Sequence, residues 1–148
     1  MSLQDDIMRD TRVAMKGRDR LRVEALRMLT AALKNGEIEK GRSLTEDEEL
    51  AILRRQLKQR EDAAKAFSWA DREQQARAEA AEAKIVRRYL PSPLSDEELE
   101  AIVEEAIRET GATSMRDMST AMARATAHAG KRVEGKRLAA LMRGRLQN

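Results

Sequence analysis

The chain has 148 residues, of which 37% are charged and 2% aromatic, with no cysteine and a formal charge of only +3. Those figures exclude disulfides, thiolate catalysis and cysteine-based metal sites, and they leave a core built from Leu, Ile, Val, Met and Ala. Such a core is thin per residue and is assembled most readily from long helices. Charge of mixed sign with only two prolines fits an all-α soluble protein rather than a disordered one. The pI of 9.4 reflects a small lysine and arginine excess, so the placement of charge carries more information than its total. The apolar runs are too short for a bilayer, and the start "MSLQDDIMRD" is acidic without a hydrophobic segment. Neither a signal peptide nor a membrane span is expected, and the cytoplasm is the default.

In chain order, Leu3, Ile7 and Val13/Ala14 predict a first helix over 3–17 ending near Gly17. A second runs from Asp19, with Leu21, Ala25, Leu26, Leu29, Ala32 and Leu33 as its apolar stripe and Ile38 continuing it. Gly36 then falls inside the helix at a cost of about 1 kcal/mol against Ala, and Gly41 is the stop. Thr45 with Glu48 forms a capping box for a third helix lined by Leu50, Leu53, Leu57, Ala64 and Phe67. The pattern resets near Trp69–Asp71, where Trp69 is expected to cap the core or to serve as a partly exposed stacking platform. A fourth helix carries Ala76, Ala80, Ala83, Ile85, Val86, Tyr89 and Leu90, its alanines permitting close approach to a neighbour.

Pro91 and Pro93 disfavour helix before them and divide the chain into an N-terminal helical domain, 1–92, and a C-terminal three-helix domain, 93–148. Ser95 and Glu98 form a second capping box, ahead of Leu99, Ile102, Val103, Ala106 and Ile107. Met115, Met118 and Met122 follow at helical spacing, as core packing or as a pliable partner groove. The last helix begins near Val133, with Leu138, Leu141, Met142 and Leu146 inward. Charge divides this half: residues 93–110 hold seven acids and one base, and residues 111–148 hold eight bases and two acids.

Catalytic chemistry finds little to use. His128 is the only histidine, no strand–turn–helix context offers it a nucleophile, and it reads as a polar loop or helix-end residue. The acidic groups Glu46–Glu49 and Asp96–Glu98 sit in helix first turns, where the helix dipole accounts for them. No glycine-rich phosphate loop is present, and "GKRVEGK" lacks P-loop spacing. Neither a metal nor a cofactor is expected, and an enzyme acting alone is not. Arg20, Arg27 and Lys34 fall on one helical line and read as solvated surface, as do Arg54 and Lys58 beside Glu61 and Asp62. The closing stretch differs: Lys131, Arg132, Lys136, Arg137, Arg143 and Arg145 share it with a single carboxylate, Glu134. That cluster fits either a polyanion surface or a plain solvated face. It has no ring for stacking, so a nucleic-acid ligand would be a folded RNA held by its phosphates and shape.

Five separated stretches, "RMLTAALKNGEIEKG", "KQREDAAKAF", "YLPSPLSDEELEAIVEEAI", "GATSMRDMSTAM" and "GKRVEGKRLAALM", closely resemble the YqeY family in order and spacing over nearly the full chain. Departures are Gly36 where Ala is common, Ser119 in place of the glycine of "DMG", and Glu134–Gly135 at the usual "DG" pair. YqeY proteins are similar to the tail region of the B subunit of the glutamine-dependent Glu-tRNA(Gln)/Asp-tRNA(Asn) amidotransferase. The resemblance implies an all-helical fold, an N-terminal helical domain and a small three-helix domain. In the amidotransferase the tail reaches the tRNA, while the carbon–nitrogen ligase chemistry belongs to other domains. The resemblance therefore implies a non-catalytic accessory tRNA-binding module, with an adaptor for a tRNA synthetase or amidotransferase as the alternative. It brings no catalytic residues to carry over.

Overall fold

The computed structural model describes residues 2–147. All regular structure among them is helical: α1 (Leu3–Lys16), α2 (Arg20–Lys40), α3 (Glu46–Trp69), α4 (Glu73–Arg87), α5 (Asp96–Thr110), α6 (Met118–Ala129) and α7 (Gly135–Leu146). Short 3-10 turns at Met115–Asp117 and Gly130–Arg132 flank α6. The chain forms two compact units, Met1–Leu90 and Pro91–Asn148.

In the first unit, α1 and α2 form an antiparallel pair. Asp19 caps α2 by accepting from the Arg22 N–H at 3.2 Å, and Gln4 near the start of α1 donates to Glu37 near the end of α2. The turn between them places Arg18 at φ 54°, and α2 stops at Gly41, whose φ of 70° suits a residue without a Cβ. Thr45 and Glu48 make the expected reciprocal capping box at the start of α3. Helix α2 packs against α1, α3 and α4, while α3 and α4 pair as a long hairpin. The core gathers Ile7, Ala14, Ala25, Leu26, Leu29, Leu33, Leu53, Ile85 and Val86. Each fully buried leucine there contributes about 1.5–3 kcal/mol relative to an exposed one.

Beyond Leu53 the hairpin has less apolar cover, and charge bridges its helices. Arg60 lies 3.5 Å from Glu79 and 3.6 Å from Glu82, and Arg87 donates to Glu61 at 2.9 Å. Burial first, and then the neighbouring Glu79, push the Glu82 carboxyl up from its ordinary value.

Five sequence expectations change here. Ala80 is exposed, so the close approach of α4 to its neighbours runs through Ala76 and Ala83. Val13 is 64% exposed, leaving Ala14 alone to face the core, because Ile7 and Ala14 define the buried line of α1. Ile38 is 77% exposed, since the apolar stripe of α2 ends with Leu33. Trp69 is 92% exposed at the hairpin tip, where no other element reaches it, so it caps nothing. Gly36 is more than tolerated: a Cβ there would stand 2.5 Å from Ile52 Cδ1 and 3.3 Å from Leu44 Cδ1, so the missing side chain gives α3 and its lead-in room to approach α2.

In the second unit, α5, α6 and α7 pack around Leu94, Leu99, Val103, Ala106, Ala112, Ala121, Ala125, Ala129, Leu138, Met142 and Leu146. The buried alanines of α6 recur every four residues, so its backbone sits close to its neighbours. Met118 and Met122 are half-buried against this core, as packing requires, and Met115 is exposed. The segment ahead of α5 is pinned to the second 3-10 turn: the Leu94 N–H donates to the Arg132 carbonyl at 3.2 Å, and Arg132 Nε donates to the Ser92 carbonyl at 2.9 Å.

Candidate nucleic-acid interface

The six cations of the closing stretch lie in the second unit on different faces of its last two elements. Lys131 and Arg132 lie in the 3-10 turn, Lys136 and Arg137 in the first turn of α7, and Arg143 and Arg145 in its last turn. All six are exposed. The acidic helix α5 packs alongside α7, and this brings the two halves of the charge pattern together. Arg137 pairs with Asp96, Arg145 with Glu104 at 2.6 Å, and Arg132 with Glu98 at 3.8 Å. Charges that look segregated along the sequence thus partly cancel in space. The groove beside Arg137 is lined by Asp96, Glu100, Ala140 and Leu141, and its two carboxylates would repel a phosphate.

Lys136 and Arg143 differ from these. Neither makes an ion pair among the described residues, and they stand seven positions apart on one line of α7, about 10 Å along its axis. Lys136 also sits at the end of α7 where the helix dipole is positive, and Glu134 gives that end no side-chain cap. A cation is poorly placed there unless an anion joins it. Arg143 and Arg145, in the last turn, complement the dipole instead.

His128 is a tie between helices. In the last turn of α6, its Nε2 lies 3.2 and 3.1 Å from the two Glu109 oxygens of α5, and Arg124 reaches the same carboxylate at 3.3 Å. The His128 hydrogen bond, more than any other contact, holds the Glu109 carboxyl below its ordinary value. Glu98 is likewise held low, chiefly by the Ser95 backbone N–H of its capping box and then by the Ser95 side chain. Among the described residues no group of three metal-ligating side chains converges, and no helix is long and apolar enough to cross a membrane.

The least compensated cations lie elsewhere. Residues 11–34 contain seven bases and two acids, a local +5 that is denser than the +6 spread over 111–148. Of these, Arg12, Lys16, Arg18, Arg20, Arg27 and Lys34 make no ion pair among the described residues, and only Arg22 is paired, to Asp19 at 3.4 Å. A running charge count would have found this segment. Reading each helix face singly left it as solvated surface.

No curated protein matches the chain. The model of the Yqey-like protein family matches residues 4–146. With the all-helical architecture and a match over nearly its whole length, the chain belongs to the Yqey-like (YqeY) family.

Proposed function

We propose that this protein is a non-catalytic accessory module that binds tRNA through phosphate contacts and shape, as the resemblance to the amidotransferase B-subunit tail suggests. Any carbon–nitrogen ligase chemistry would then reside in a larger enzyme's other domains. The observation that carries the reading is the state of the C-terminal cations. They remain at the surface, and Lys136 and Arg143 have no carboxylate partner among the described residues. The arginine pairs to α5 are solvent-exposed, with Asp96 88% accessible at its side chain. Exposed pairs contribute little to stability and are screened by salt, so phosphate oxygens can take the carboxylates' place.

The test is retention of tRNA at two salt concentrations by wild type and by Lys136→Glu/Arg143→Glu. Neutralising about four phosphates gives a log–log salt slope near −3 to −4, and the double variant should bind more weakly with a shallower slope. Equal binding by the variant removes this surface from the reading.

Trp69 favours the second reading, an adaptor for a tRNA synthetase or amidotransferase. A hairpin that ends in an indole 92% exposed has the character of an interface anchor. Capture of such a partner that survives nuclease and high salt, and is lost in Trp69→Ala, would support it. Capture unaffected by Trp69→Ala would count against the indole as the anchor.

A further inference from the structure

A second basic surface lies in the first unit, at the corner where α1 ends, α2 begins and α4 terminates. Three elements meet there. The Tyr89 hydroxyl, just past α4, donates to Asp10 on α1, and Arg22 of α2 and Arg88 at the end of α4 both lie near enough to act on the same phenol. Of the neighbouring acids two are engaged, while Glu24, one turn along α2 from Arg20, makes no ion pair among the described residues. Asp10 accepts from Tyr89 and is 3.5 Å from Arg9, while Asp19 caps α2 and pairs with Arg22. Arg12 and Lys16, four apart on the solvent side of α1, then lead through Arg18 in the turn to Arg20 at the start of α2. All four are exposed and none has an ion-pair partner among the described residues. Exposed cations without a carboxylate partner among the described residues attract a polyanion, which releases its counterions on contact.

We infer that this corner, through Arg12, Lys16, Arg18 and Arg20, is a second phosphate-contacting surface for folded RNA, independent of the cations on α7. The inference rests on the tRNA-binding reading and adds a contact surface to it. Three of the six C-terminal cations pair with α5 carboxylates, whereas none of the four corner cations has an ion-pair partner among the described residues, so the corner should supply the larger share of counterion release.

The experiment measures tRNA affinity of the full chain over a range of salt, for wild type, for Arg12→Gln/Lys16→Gln/Arg18→Gln/Arg20→Gln, and for Lys136→Gln/Arg143→Gln. Four lost phosphate contacts should flatten the log–log slope by about 3 to 4 and weaken binding at least tenfold at low salt. Arg12→Lys/Arg18→Lys/Arg20→Lys, which keeps all four positive charges with Lys16, should keep the wild-type slope, since the slope counts neutralised phosphates and lysine binds phosphate as a point charge. Far-UV circular dichroism, unchanged in all variants, separates lost contacts from lost folding. A corner variant that binds like wild type while the α7 variant weakens overturns the inference and leaves the functional reading standing. A corner variant weakened equally at all salt concentrations also overturns it. Absence of tRNA binding by wild type overturns both. Equal affinity for poly-glutamate at matched charge would refute the assignment to RNA.

Discussion

Glu48 shows how much one side chain settles. Its carboxylate accepts from the Thr45 N–H at 2.9 Å, from Arg42 at 2.8 and 3.1 Å, and lies 3.3 Å from Lys40. The Arg42 hydrogen bond, followed by the Thr45 N–H, holds its pKa far below the ordinary glutamate value. A depressed folded pKa contributes stability that is present above the unfolded value of about 4.3 and is lost as pH falls below it. Glu48→Gln should therefore have a lower urea midpoint than wild type at pH 7, with the gap closing as the pH is lowered below about 4. A gap that widens on acidification would contradict this. Gly36 supplies a second prediction. Ala would gain about 1 kcal/mol of helix propensity, but its Cβ meets Ile52 Cδ1. Thermal melts should find Gly36→Ala more stabilising in an Ile52→Val background, where that methyl is gone, than in wild type; equal effects would show that Ile52 moves aside freely. The capping boxes were legible because a cap is a relation between residues three apart. Trp69 was not, because its exposure depends on which elements reach the hairpin tip. As the only tryptophan, it should emit at the exposed-indole maximum in native and unfolded protein alike, and a blue-shifted native emission would contradict its placement.

Among the elements, the helices were legible from spacing and caps to within a few residues at their ends, with Gly41 as a left-handed stop; the matching stop at Gly111 was not read from the sequence. Their outward faces were less so: Val13 and Ile38 are apolar residues that fall just outside the buried stripe. The pairing of α5 with α7 was not legible at all. Arg137 meets Asp96, and Arg145 meets Glu104, across 41 positions of sequence, and no local periodicity encodes such a contact. A testable consequence follows from it. Asp96→Asn/Glu104→Gln frees Arg137 and Arg145, and should strengthen tRNA binding and steepen its log–log salt slope by about 1–2. Unchanged binding would show that those arginines face away from the RNA. In the first unit, Leu29→Ala should cost about 2–5 kcal/mol of stability, read from urea midpoints, because α2 packs against each of the other three helices of the unit.

For the whole molecule, charge placement carries the functional account. A chain of net +3 has little overall attraction for a polyanion, so binding depends on where unpaired cations collect. The sequence pointed to the C-terminal cations, where folding brings up three carboxylates of α5. It gave less weight to residues 11–34, where folding supplies few. The most direct measurement is the salt dependence of tRNA affinity for the wild-type chain. The account predicts a linear log–log fall with a slope of about −3 or steeper, and a slope near zero, or no retention at low salt, would contradict it.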